Sequence, residues 1–195
     1  MTTRTCVAVL GLVLGLLLAA WRVIGTNGPV LTSPGANVVT QGTARIHQGD
    51  TVTIGSMFGC LNKPGAITID TIEPVHAVGL RVTGWGLRPN PFWKGGPPSA
   101  PNPAGIGGQI TVAKARLSRL GFTTGRTIDV KCGQHGEGYE LAVQVEKTTA
   151  GEAGASGWVV TYKTGDETRK FGFPLAVKLC NEKVSWSKKC NALKV

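Results

Sequence analysis

Cys132-Gly133-Gln134-His135 places a thiol and an imidazole three residues apart at the end of a strand-like run. A cysteine thiolate, two imidazoles and a weak axial ligand make the trigonal copper site of electron-transfer proteins. His76 or His47 could supply the second imidazole and Met57 the axial sulfur. The chain has 2 methionines, Met1 and Met57, so none follows His135 where such a site would want it. A copper site also needs Cys132 free, which leaves an odd number of cysteines to pair. The set His76, Cys132 and His135 is therefore kept only as an alternative, and the main expectation is that Cys132 is a half-cystine and that no metal or cofactor is bound. Nucleophilic catalysis needs a Ser or Cys with a base in reach. The 3 histidines are scattered and no G-x-S-x-G turn occurs. Asp70 and Glu73 lie on one strand and its end, where solvation explains them, whereas a hydrolase needs two carboxylates facing across a cleft. No catalytic residue is expected, and the chain is read as a non-enzyme.

Recognition is better served. Six of the 11 prolines fall between Pro89 and Pro103, inside a long irregular stretch from Arg88 to Gly108 that carries Phe92, Trp93 and Lys94. Long loops inside a domain tend to be functional. Prolines restrict the unbound ensemble, so less entropy is lost when a partner fixes the loop. Arg88, Phe92, Trp93 and Lys94 are the expected binding residues. The competing expectation folds Trp93 back over the open end of the domain. Trp186, between Lys183 and Lys188-Lys189, poses the same choice.

The elements that must position these residues begin with an apolar run. Cys6–Ile24 holds 19 residues with Arg22 as the one charge. As a helix it would be about 28 Å long, close to the roughly 30 Å of a bilayer's hydrocarbon core. Arg4 and the α-amino group precede it, which keeps the N-terminus cytoplasmic. Residues 1–25 are read as a signal anchor, giving a single-pass protein of the cell membrane with its domain outside. Secretion after signal cleavage is the alternative. Of 21 Lys and Arg, 19 lie beyond Arg4 and Arg22, against 11 acidic residues. Such a basic exterior suits an envelope protein with an acidic face or an anionic surface. Nucleic acid is not expected, because no basic and aromatic interleaving of a nucleic-acid module is visible. Four cysteines follow the anchor, an even number that implies two disulfides in an oxidising compartment. Of the three possible pairings, Cys60–Cys132 and Cys180–Cys190 are favoured: the first staples two core strands, the second ties down the tail.

Residues 26–43, rich in Gly, Pro, Asn, Ser and Thr, read as an extended stalk. Residues 44–180 read as the domain and 181–195 as a basic tail. Alternating apolar and polar residues predict strands over 44–47, 51–58, 66–72, 79–85, 126–132, 139–146, 156–163 and 168–180. Gly165-Asp166 is a hairpin turn signal, and Pro174 demotes part of the last strand to an edge or bulge. One helix is expected over 111–120, capped by Gly121. Seven to eight short strands, each with one apolar face, predict a mainly β fold: an antiparallel two-sheet, immunoglobulin-like sandwich with one short helix. The order Cys60, Trp85, Cys132 echoes that of immunoglobulin domains, although no Tyr stands two residues before Cys132.

The chain also resembles a class of uncharacterised, membrane-anchored envelope proteins of high-GC Gram-positive bacteria. The resemblance rests on the anchor, Gly59-Cys60-Leu61, the stretch Gly84-Trp85-Gly86-Leu87-Arg88-Pro89, and the closing Pro174-Leu175-Ala176-Val177-Lys178-Leu179-Cys180. It implies location and architecture and transfers no catalytic residue. The functional expectation is a tethered, extracytoplasmic, non-catalytic binding or accessory domain. A cupredoxin-like copper-binding domain is the alternative.

Overall fold

The computed structural model describes residues 28–33, 39–91, 111–113, 116–133, 137–183 and 187–195. The apolar run Cys6–Ile24 lies outside them, and among the described residues no helix is long and apolar enough to cross a membrane.

The fold is mainly β. The described residues form twelve strands: β1 Leu31–Thr32, β2 Val39–Thr43, β3 Thr51–Leu61, β4 Ile67–Val75, β5 Leu80–Pro89, β6 Thr111–Ala113, β7 Thr127–Ile128, β8 Tyr139–Lys147, β9 Ala153–Ala155, β10 Gly157–Thr164, β11 Glu167–Phe173 and β12 Leu175–Leu179. A five-stranded sheet runs β1-β3-β8-β5, with β6 also on β3; a four-stranded sheet runs β11-β10-β4-β7; a three-stranded sheet runs β2-β12-β9. Among the described residues the strands pair antiparallel, except β2 with β12.

Alternation places the core. Leu141, Val143 and Val145 of β8 are buried, as are Trp158, Val160 and Tyr162 of β10. These side chains join one hydrophobic cluster fed by all three sheets. On β4 the buried positions step from Ile69 to Ile72, a change of phase. Thr161 pairs with Thr71 and Tyr162 with Ile69, so Asp70 is the extra residue of a bulge that resets which face points inward. Gly165-Asp166 joins β10 to β11, with Thr164 opposite Glu167. Gly165 has φ 58°, the value that a glycine-first hairpin turn requires.

Several expected elements come out differently. Residues 28–33 and 39–43 are not a free stalk: β1 pairs with Leu61 and Cys60, and β2 lies parallel to β12. Leu31 is fully buried there, beside the half-buried Val30, an adjacent apolar pair that leaves no alternation to read in a polar stretch. Residues 44–47 form a bend, with Arg45 at φ 59°. Where a helix is expected over 111–120, the described residues are a strand and a 3-10 turn: Thr111–Ala113 pairs with β3, and Leu117–Leu120 coils. The β-branched Thr111 and Val112 accept a strand partner more readily than helix crowding. Gly121 does cap that turn in the left-handed conformation, φ 80°. The run 168–180 is two strands in two sheets, broken at Pro174, which has no N–H for a ladder. The tail also packs back. A short helix α1, Lys188–Asn191, starts at Ser187, whose side chain accepts from the Cys190 amide.

Both disulfides form as paired above, Cys60–Cys132 and Cys180–Cys190. The first ties β3 to the segment after β7, where Leu61 and Lys131 form a parallel bridge.

Candidate binding site

The five-stranded sheet packs one face on the main core and covers part of the other with a small second cluster. Leu141, Val143 and Val145 point into the main core, so Glu140, Ala142 and Gln144 point the other way. On that second face Leu120, Phe122 and Ala142 make a small separate cluster, with Leu117 packed against it. The segment 117–123 lies over the sheet because Thr123 and Leu87 exchange backbone hydrogen bonds at 2.8 and 3.0 Å. Gly86 permits this approach: a Cβ there would sit 2.8 Å from the Thr123 carbonyl oxygen. That explains one glycine of the Gly84–Pro89 stretch in steric terms.

Under the segment lies an ion pair. Arg88 and Glu140 are direct cross-strand partners on β5 and β8. Arg88 is 1% exposed and Glu140 0%. The Arg88 Nε donates to Glu140 Oε2 at 2.7 Å, and Nη2 stands 2.6 Å from the same oxygen. Nη1 donates to the Leu120 carbonyl at 2.7 Å, and the guanidinium lies 4.5 Å from the Phe122 ring centroid. Glu140 Oε1 accepts from the Ser56 amide at 2.9 Å. Ser56 sits at the β3 bulge with φ 69°, which turns its N–H away from the ladder. Burial pushes the Glu140 carboxyl up from its ordinary range, while the Ser56 amide and Arg88 pull it back. Arg88 is therefore corrected. It does not flank an exposed loop, because β5 continues through Pro89 and carries Arg88 inside as a structural cation.

Next to this pair the surface opens. A depression of about 290 Å³ is lined by Trp85, Leu117, Phe122 and Gln144 among others, and a second of about 330 Å³ reaches Asp50 and Thr51. The two share Arg116 and Gln144. Arg116, Arg119 and Arg126 are exposed, and the Arg126 guanidinium lies 5.4 Å from the Trp85 ring centroid. Trp85 is half-buried, packed against the main core, while Trp158 is fully buried. An aromatic flanked by arginines, with amide and hydroxyl groups between, suits an anionic ligand. This site was not legible as a site: Trp85, Arg116 and Arg126 come from three separate segments with no common motif.

Other expected residues are placed as follows. Phe92, Trp93, Lys94, His135 and Trp186 lie outside the described residues. Cys132 is bonded to Cys60, so its sulfur is not a thiolate and cannot ligate copper as the alternative required. Met57 is fully buried in the core and His47 is exposed. His76 Nδ1 stands 3.1 Å from Ser156 Oγ, yet Ser156 donates its one proton to the Val75 carbonyl at 3.1 Å. The Val75 carbonyl thus competes for the hydroxyl proton that an activated nucleophile would give to His76. Glu152, Cys180 and Cys190 come within 4.8 Å of one another, but both sulfurs are in the disulfide. No protein-family model matches the chain, and comparison with curated proteins finds no similar one.

Proposed function

We propose that the chain is a membrane-tethered, extracytoplasmic, non-catalytic binding or accessory domain of a bacterial cell envelope, with an anionic envelope component as its partner. The observation that carries the location is the joint presence of a 19-residue apolar run and two disulfides, since cysteines pair in oxidising compartments. The five- and four-stranded sheets serve as the leaves of an immunoglobulin-like sandwich in this reading. Support for that comes from the shared core and from a disulfide running from one leaf to the chain beyond the other. Arg116, which lines the depression with Trp85, and Arg126, over the Trp85 ring, support the anionic partner. Phe92, Trp93 and Lys94, which fall in the sequence between β5 and β6, are further binding residues in this reading.

Protease added to intact spheroplasts is expected to digest the domain; full protection would place it in the cytoplasm. Binding is checked by co-sedimentation with vesicles of neutral lipid alone or with anionic phospholipid. Each charge reversal, Arg116→Glu or Arg126→Glu, is expected to weaken anionic-vesicle binding about tenfold, since a basic residue near such a surface contributes about 1 kcal/mol and the reversal adds repulsion. The melting temperature should hold, because both side chains are exposed. Equal binding of wild type and variants would remove this surface from the proposal. The same measurement on Phe92→Ala/Trp93→Ala tests the loop, where a large fall in melting temperature with unchanged binding would make Trp93 a core residue.

A further inference from the structure

Lys147 continues the inward face of β8 after Leu141, Val143 and Val145, so an amine enters the end of the core. The residue is 0% exposed. Its Nζ donates to the Ile46 carbonyl at 2.8 Å and to Asn181 Oδ1 at 2.5 Å. Both acceptors are neutral oxygens. With a C=O bond of about 1.23 Å, Nζ lies no more than about 3.7 Å from the Asn181 carboxamide carbon, near the separation of a reacting pair. Asn181 is held on its other side, where Nδ2 donates to the Ala150 carbonyl at 2.5 Å. Glu152 completes the group. Its Oε2 accepts from the Asn181 backbone amide at 2.9 Å, and its Oε1 is buried with no hydrogen-bond partner among the described residues. A buried carboxylate oxygen with nothing to accept is costly unless it has another use.

We propose that Lys147 and Asn181 join in an intramolecular isopeptide bond, with Glu152 carrying the proton. The unprotonated Lys147 nitrogen attacks the Asn181 carboxamide carbon, and the C=O pair moves onto Oδ1. One proton passes from the attacking nitrogen to Nδ2, and Glu152, bonded to the Asn181 backbone amide and near enough for its charge to act on Lys147, is the carboxylate assigned to carry it. The carbonyl re-forms, the bond to Nδ2 breaks and one ammonia leaves. A secondary amide then links the two side chains, with no oxidant or reductant consumed. Burial favours the reactive form by depressing the lysine's proton affinity, opposed by the nearby charges of Glu152 and Asp50. The bond would staple the end of β8 to the residue after Cys180, beside the Cys180–Cys190 disulfide. Core and tail would then be closed at one corner by two covalent links.

The full-length protein, extracted from membranes, reduced and alkylated, is digested with trypsin and analysed by mass spectrometry. The expected result is a branched peptide carrying both Lys147 and Asn181, one ammonia lighter than its two parts. Tryptic cleavage after Lys147 should be lost. Separate, unmodified Lys147 and Asn181 peptides would overturn the proposal, and this readout needs no variant to fold. A cyclic imide at Asn181 loses the same ammonia without branching, so finding it in place of the branched species would also overturn it. In Glu152→Gln the cross-linked fraction is expected to fall at least tenfold; complete cross-linking there would remove Glu152 from the step.

Discussion

Glu140→Ala is expected to lower the free energy of unfolding by about 3–5 kcal/mol, because removing one partner of a buried ion pair leaves the other charge stranded. Arg88 would keep its bond to the Leu120 carbonyl and its place over Phe122, but its charge would face an apolar hollow. Arg88→Ala should cost as much, since Glu140 would retain only the Ser56 amide. The double change Arg88→Met/Glu140→Leu is expected to recover most of the loss, as apolar replacements for buried ion pairs are often neutral or better. Urea unfolding of the four proteins, with the m-value checked for constancy, measures this. A single variant that loses less than about 1 kcal/mol would mean that water reaches the pair.

The second large effect belongs to Cys60–Cys132. The bond spans 72 residues, whereas Cys180–Cys190 spans 10. Constraint of the unfolded chain grows with loop length, giving about 4 kcal/mol for the first and about 3 for the second. Cys60→Ala/Cys132→Ala should therefore destabilise more than Cys180→Ala/Cys190→Ala. Native contacts point the same way: Cys60 is fully buried in the ladder with β1, and the Cys132 amide donates to the Leu61 carbonyl at 2.8 Å. Thermal melts of both double variants, in oxidising buffer, give the order. The opposite order would show that tethering the tail matters more than closing the long loop. The isopeptide bond would itself favour the expected order by holding the tail corner without the sulfurs, so the Lys147 peptide is mapped alongside.

Much of this protein is determined locally and was legible. The period-two runs of β8 and β10, the Gly165-Asp166 turn and the left-handed Gly121 depend on a few adjacent residues, and each took its expected form. The even cysteine count limited the pairings to three, and the favoured one formed. Tertiary structure decided the rest. Leu31 and Val39–Thr43 became strands only because β3 and β12 offered edges to pair with. Pro174 divided one apolar run between two sheets. Arg88 followed a tryptophan-bearing stretch into a proline-rich one and read as exposed; its cross-strand register with Glu140, 52 residues away, took it inside. The sequence shows Lys147 at the i+2 step of an apolar face, but not that Asn181 and Glu152 would meet it there. Side-chain alternation is a property of one strand, whereas a charge becomes a buried partner only when register and bulges bring distant strands into contact. That pairing is settled by the folded chain as a whole.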